Sequence, residues 1–505
     1  MIREFMDHPG AKDPISAKTP PPSTLGRYDL IFVGVILLLS VGLYHSVLTQ
    51  GLMRDDFCWL SLAREGLSDP SIVFSRFVSG FFRPVVHLSF IPTYAVFAEQ
   101  AWPYYATNLL LDAACALLVA WLALLLTRSR VAACVAAVMF ITHPHHAEVV
   151  AWVSARTSSL MAMFSLLALI GWIRFRTHGT RRWAVVTTLA FAAALGSKEE
   201  AAILLLLIVL LEWIAVRSMT NAPLMAGHRL RRPAVVVFAM CCVIFAAYLA
   251  AQYAFQSANP IVTGGGFSLH REGFTRALSR VPRLFIHKHI APSAWAVASF
   301  LLLCVFGAVI LRNATRKLRR AAIFGLSLAF VAVLPTSFFT DDAYPMRYDY
   351  LATGGSAIAW GAVVAACIGC LRELRRLWSI RMVAYALLFT FGMAIPTQAY
   401  RLRQTLRPFE SDAQLGGRVH AAMQAIAPEL ENARNQKVGV ILEDPPLPPL
   451  DMQCLCHLVG GIPREVVKPV YNEDAEKSPT TNEPRIGWRD SSGQFFAEVL
   501  GKPAG

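Results

Sequence analysis

The sequence predicts an all-α polytopic membrane protein with about 11 transmembrane helices. Three observations carry this. Of the 505 residues, 55% are hydrophobic and only 16% charged, where a soluble protein carries about 25% charged residues. Mean hydropathy is +0.47. Apolar runs of about 17 to 25 residues, the length that crosses a bilayer, recur between Tyr28 and Gln398.

Residues 1–27 are polar and Pro-rich and read as a cytoplasmic N-terminus. No small-residue cleavage site follows the first apolar run, so that run stays as a span. The spans are 28–48, 104–127, 130–142, 157–174, 182–197, 199–216, 234–256, 294–312, 320–340, 350–371 and 380–398. Segment 84–97 is apolar but too short to span. It reads as an interfacial helix within an outer loop, 49–103. Residues 399–505 are far less apolar and form a small extracytoplasmic α+β or partly ordered tail.

Orientation follows from charge. Net charge is +14, but the basic residues sit in short loops such as "RFRTHGTRR" and "RNATRKLRR", where the positive-inside rule puts them in the cytoplasm. No basic stripe interleaved with aromatics appears, which excludes nucleic-acid binding. The chain thus reads as an integral membrane protein with its N-terminus cytoplasmic and its tail extracytoplasmic. Seven of the ten cysteines fall in apolar spans and act as small hydrophobes. Cys454 and Cys456 form a lone CxC, a weak metal or disulfide signal.

Charged groups near hydrocarbon are costly and therefore candidates for function. Here they gather on the outer side. Asp55 and Asp56 follow the first span and suit a general base or a divalent metal. Arg83 precedes Pro84, at the start of the short outer helix. "THPHHAEVVAWVSARTSSL" (142–160) holds His143, His145, His146, Glu148 and Arg156. Pro144 suits a first helical turn, which would attract phosphate. On an unbroken helix Arg156 lies two turns past Glu148 on a similar side. No HExxH spacing supports zinc. Lys198 and Glu199 occupy an outer turn, and Arg347 lies at the mouth of a later span. Asp112 sits inside a span with Asn108 as its expected partner.

The order of these motifs, with "FRP" (82–84), "NLLLD" (108–112), "GSKEEA" (196–201) and "RYDYLATGG" (347–355), resembles the GT-C glycosyltransferase superfamily. Within it the chain is similar to bacterial relatives of the transmembrane-and-tetratricopeptide-repeat O-mannosyltransferases. The likeness covers residues 28 to 400. It departs at Asp112, where the family favours His, at Ala352 and Thr353, where it favours Leu-Pro, and in the tail, which shows no tetratricopeptide repeats.

The resemblance implies a GT-C-like fold and a polyprenyl-phosphate sugar donor. It implies transfer with inversion to an acceptor hydroxyl on protein or envelope glycan, at the outer face. By it Asp56, or its neighbour Asp55, is catalytic. Arg83, His143, Glu148, Arg156, Lys198, Glu199 and Arg347 would bind donor phosphate or sugar. No cofactor is required, and a divalent metal at Asp55 and Asp56 is an option. The rival class is a transporter or flippase of a lipid-linked or anionic substrate, in which polar groups would lie near the midplane. The enzyme reading instead requires the outer charges to converge.

Orientation has a direct check. Alkaline phosphatase fused after Asn435 should be active outside the cytoplasm, and the same enzyme fused after Gly179 should be inactive. The reverse pattern would invert the topology.

Overall fold

The computed structural model describes residues 27–75, 78–216, 224–256, 271–285, 293–338, 345–373, 378–436, 440–443, 445–470, 485–491 and 494–500. Asp341 and Asp342 lie outside these residues. Among them, seven helices are long and apolar enough to cross a membrane.

Helix α1 (Arg27–Tyr44) leads into the segment that carries α2 (Asp56–Ser68) and α3 (Pro84–Phe97). The expected short helix thus has the expected bounds. Pro84 opens it, as suits a residue with no N–H to offer. α2 and α3 pack through apolar faces, with Trp59 stacked on Phe90 at 5.5 Å. Then follow α4 (Trp102–Thr127), α5 (Arg130–Ile141), α6 (His146–Ala151), α7 (Arg156–His178), α8 (Arg181–Leu195), α9 (Leu204–Leu211), α10 (Leu224–Gln256), α11 (Arg271–Arg280), α12 (Ser293–Arg312), α13 (Arg316–Val333), α14 (Tyr350–Glu373) and α15 (Trp378–Ala425).

Among the described residues the eleven expected spans are helical, but three differ from full-length regular helices. α5 has 12 residues and α8 has 15. The 199–216 segment changes pitch twice, from a 3₁₀ turn at Glu199–Ile203 through α9 to a π turn at Glu212–Val216. A run of apolar residues fixes burial, but a local change of pitch leaves no trace in hydropathy.

The membrane core is built from α4, α5, α7, α8, α13 and α14. Without water to exclude, such helices associate through close packing, which small residues permit. Gly325 of α13 faces Gly355 of α14 so closely that a Cβ on Gly325 would lie 2.6 Å from the Gly355 carbonyl oxygen.

α15 has 48 residues. At 1.5 Å per residue it is about 72 Å long, more than twice the ~30 Å hydrocarbon thickness. It passes position 398 without interruption, and its second half belongs to an outer layer. That half shares one hydrophobic cluster with α2, α3, α6 and the tail. A side chain on Gly416 would collide with the Leu52 carbonyl. His420 pairs with Glu99 at 2.7 Å.

The tail continues with α16 (Ala427–Asn435), β1 (Val440–Glu443), α17 (Pro449–Gly460), β2 (Val467–Val470), β3 (Arg485–Ser491) and β4 (Gln494–Leu500). Its sheet has the order β2-β1-β3-β4. β1 pairs in parallel with β2 and β3, while β3 and β4 are antiparallel. Cys454 forms a disulfide with Cys58 of α2, and Cys456 is a free, buried thiol. The CxC is therefore not a unit: one cysteine staples the tail to the first outer helix, and the other fills its core.

Gly355→Leu should force α13 and α14 apart. Overpacking of this kind costs about 1–3 kcal/mol, and a lowered unfolding temperature in detergent would report it. An unchanged midpoint would show that the helices are not held at this distance.

Candidate functional site

The site begins at a turn. Arg54 adopts left-handed backbone (φ 52°) just before α2, a conformation uncommon for a residue with a side chain. Asp55 caps the helix and Asp56 opens it, so two consecutive carboxylates leave the chain in different settings. Asp56 is 0% exposed. It accepts from the Met53 amide (3.0 Å), the Ser154 amide (2.7 Å) and the Ser154 hydroxyl. Asp55 is partly exposed, and its Oδ1 has no hydrogen-bond partner.

Burial pushes Asp56 up to about 7, the Ser154 hydrogen bond opposes this, and the charge of Asp55 adds to it. Burial also raises Asp55, against the pull of Arg347, its own amide, Arg83 and Ser154. The acids therefore titrate as a coupled pair. Asp56 is the anchored member and Asp55 the one with an acceptor atom to spare.

Cations surround this pair. Arg347 forms an ion pair with Glu148, whose other oxygen accepts from the Arg347 amide at 2.9 Å. Its guanidinium lies over Trp152 (4.8 Å) and Tyr348 (4.9 Å). Arg54 also lies over Trp152, at 5.2 Å, and bonds Asp412 at 3.1 Å. Lys198 donates to Ser158 (2.9 Å), pairs with Glu200 (2.5 Å) and lies 4.5 Å from the Tyr348 ring centre. Arg83 grips Glu199 with Nε (3.1 Å) and Nη2 (2.8 Å). Burial works against the charge of Arg83, but Glu199 outweighs it and keeps the guanidinium charged.

Asp55, Arg83, Glu148, Lys198, Glu199 and Arg347 thus come together. Arg54, Trp152, Glu200, Tyr348 and Asp412 join them without a sequence signal that singled them out. Tyr348 and Trp152 look like ordinary interfacial aromatics in sequence, yet each carries two cations.

Arg156 does not join, and the expected phosphate role is corrected. The helix is not continuous from Glu148 to Arg156. α6 ends at Ala151, Trp152 is extended, a 3₁₀ turn covers Val153–Ala155, and α7 starts at Arg156. Such a break strands carbonyls, which need donors when buried. Within it the Ala155 amide donates to the Trp152 carbonyl and the Arg156 amide to that of Val153, and the Asn108 side-chain amide packs against the break, 3.3, 3.1 and 3.4 Å from the oxygens of Val149, Trp152 and Val153. Its own carbonyl accepts from Arg156 Nε at 3.0 Å. Arg156 is 0% exposed, donates further to the Ser89 (3.2 Å) and Tyr104 (3.1 Å) carbonyls, and stacks over Phe90. It clamps α3 and α4 to α7.

The histidines diverge. His143 Nε2 lies 3.3 Å from the Leu284 carbonyl, His145 Nδ1 3.0 Å from Asp349, and His146 Nδ1 3.0 Å from Asp112. His146 also meets Thr353 at 2.8 Å. Asp112 accepts from His146 and from the Tyr350 hydroxyl at 2.7 Å, not from Asn108 as expected. No side chain caps α6, which begins at His146, two residues after Pro144. Among the described residues no cluster of His, Cys, Asp and Glu is arranged to hold a metal.

His143 instead borders an apolar cavity of about 460 Å³ beside α12, α14 and α15. Leu302, Phe306, Trp360 and Met393 line its depth, and Arg283, Gln398 and Arg401 give it polar groups. A second apolar cavity, about 420 Å³, shares Phe285, Leu303, Trp360 and Leu387 with it.

No family model matches the sequence, and no curated protein matches it. Among solved structures, ArnT from Cupriavidus metallidurans in the apo state aligns with a TM-score of 0.49 at 15% identity, over 91% of this chain and 92% of that one. The same protein bound to undecaprenyl phosphate gives 0.48 at 16%, with the same coverage. The oligosaccharyltransferase of Archaeoglobus fulgidus, tethered to an acceptor peptide, gives 0.49 at 14%, over 88% of this chain and 64% of that chain. At these scores and identities the alignments assign neither fold nor chemistry to this chain, which rest on its own residues.

Arg156→Met should unfold the protein rather than merely slow it. The change removes three hydrogen bonds from a charged donor, two of them buried, each worth about 1.5–3 kcal/mol. Thermal unfolding should show the loss. A variant as stable as the parent and defective only in activity would return Arg156 to the site.

Proposed function

We propose that this chain is a membrane glycosyltransferase of the GT-C type. It moves a sugar from a polyprenyl-phosphate donor to an acceptor hydroxyl at the outer face of the membrane. The observation that carries the reading is the state of Asp55. It is shielded and raised, with an unpartnered oxygen, amid cations that suit an anionic leaving group.

The base is reassigned from Asp56 to Asp55. Asp56 spends both oxygens on Met53 and Ser154 and fixes the turn. Asp55 accepts the proton of the acceptor hydroxyl as that oxygen bonds to the anomeric carbon. The bond from this carbon to the donor phosphate breaks, and the electron pair leaves with the lipid phosphate. A single displacement inverts the anomeric centre. A phosphate leaving group needs positive charge rather than an acid, and Arg347, Lys198 and Arg83 supply it. The apolar cavity beside His143, with Arg283 and Arg401 among its polar groups, suits an isoprenoid chain ending in phosphate.

Asp55→Asn should lower turnover by about 10²–10⁴-fold, the usual worth of a general base, with unchanged stability. The assay uses membranes from a strain lacking the gene, which hold donor and unmodified acceptor, with mass spectrometry of the envelope glycans and proteins. Wild-type turnover by this variant would refute the assignment.

The pH dependence follows by sign. Asp55 must be ionised to act, and its pKa is raised. Activity should therefore fall on acidification at a pH above the ordinary aspartate value near 3.8. A profile flat down to pH 4 would contradict this.

A further inference from the structure

The tail reaches the site. α17 lies along α2 in a register fixed at several points. Cys58, two residues past Asp56, is bonded to Cys454 with 4.8 Å between their α-carbons. Its sulfur lies 3.9 Å from the Leu450 carbonyl oxygen. Further along, Glu65 pairs with His457 at 2.7 Å, and Arg464 donates to Ser61 at 2.9 Å. The start of α17 is therefore held beside the Asp55–Asp56 turn.

Asp451 is the third residue of that helix. It is 6% exposed, yet among the described residues it makes no hydrogen bond or ion pair. Buried carboxylates are ordinarily satisfied, so one that is not invites a donor from elsewhere. Burial and the charge of Asp55 push Asp451 up to about 7, against the opposing charge of Arg54. Arg54 itself is engaged by Asp412. Two carboxylates from opposite ends of the chain thus offer unfilled acceptor positions at one site: Asp55 Oδ1 and the Asp451 carboxyl.

We infer that Asp451 positions the acceptor. It receives a hydrogen bond from a second hydroxyl of the molecule whose first hydroxyl Asp55 deprotonates. The chemical class that fits is a sugar, which presents neighbouring hydroxyls. A serine or threonine side chain presents one. The acceptor is therefore an envelope glycan rather than a protein hydroxyl. The inference rests on the reading of Asp55 as the base.

The experiment uses the full-length protein. A lipid extract of the deletion strain supplies donor at fixed concentration, and the isolated envelope glycan fraction of that strain is varied. Asp451→Asn should raise the half-saturating glycan concentration about tenfold or more, as expected for loss of a hydrogen bond to a charged group. Maximal rate should stay within about threefold, because the bond is not at the reacting atom. Half-saturation by the lipid extract should not change, and Asp451→Glu should recover part of the glycan affinity. Formation of the Cys58–Cys454 bond, read on a non-reducing gel after proteolysis, confirms that the variants fold.

Unchanged glycan saturation in Asp451→Asn would overturn the inference. So would transfer to envelope proteins with none to glycan. Neither result touches the base, because Asp55→Asn tests that separately. An active Asp55→Asn would overturn the base reading whatever Asp451 does.

Discussion

The arrangement depends on one buried guanidinium. Arg156 lies where α7 begins and holds Asn108, whose side-chain amide bonds the carbonyls of the helix break before it. The break has a consequence further out. Because the chain is not α-helical at 152–155, the Ser154 amide is free to bind Asp56 instead of a carbonyl one turn back. That bond anchors the turn at the start of α2, and the turn presents Asp55. A residue that touches no substrate thus sets the position of the one proposed to do the chemistry.

The charges of the site are already paired. Arg347 has Glu148, Arg83 has Glu199, and Lys198 has Glu200. Buried charges are tolerated on this condition, since an unpaired one is strongly destabilising. An anionic guest must therefore compete with built-in carboxylates for each cation. Such competition favours the more highly charged guest, a phosphate monoester at about −1.5 to −2 over a carboxylate.

Much of this was legible in the sequence. Long apolar runs set the helices, and shortness together with the placement of the basic loops identified α3. The outer gathering of Arg83, Glu148, Lys198, Glu199 and Arg347 followed from placing the motifs on one side. The losses came where a partner is remote. Nothing near Arg156 announces the helix break before it, or that Asn108 packs against that break. The preference of Asp112 for His146 and Tyr350 over Asn108 depends on how α4, α6 and α14 meet. Asp56 and Asp55 cannot be ranked until Ser154 is seen to occupy the first. Cys454 seemed tied to Cys456 only because its partner lies 396 residues away.

That separation orders assembly. Cys58 belongs to the first outer loop and Cys454 to the last segment, so they cannot meet until every intervening helix has been inserted and α15 has delivered the tail. The sulfur bridge closes only on a finished chain. The bond thus works as a receipt for complete membrane insertion, written beside the residues on which activity depends.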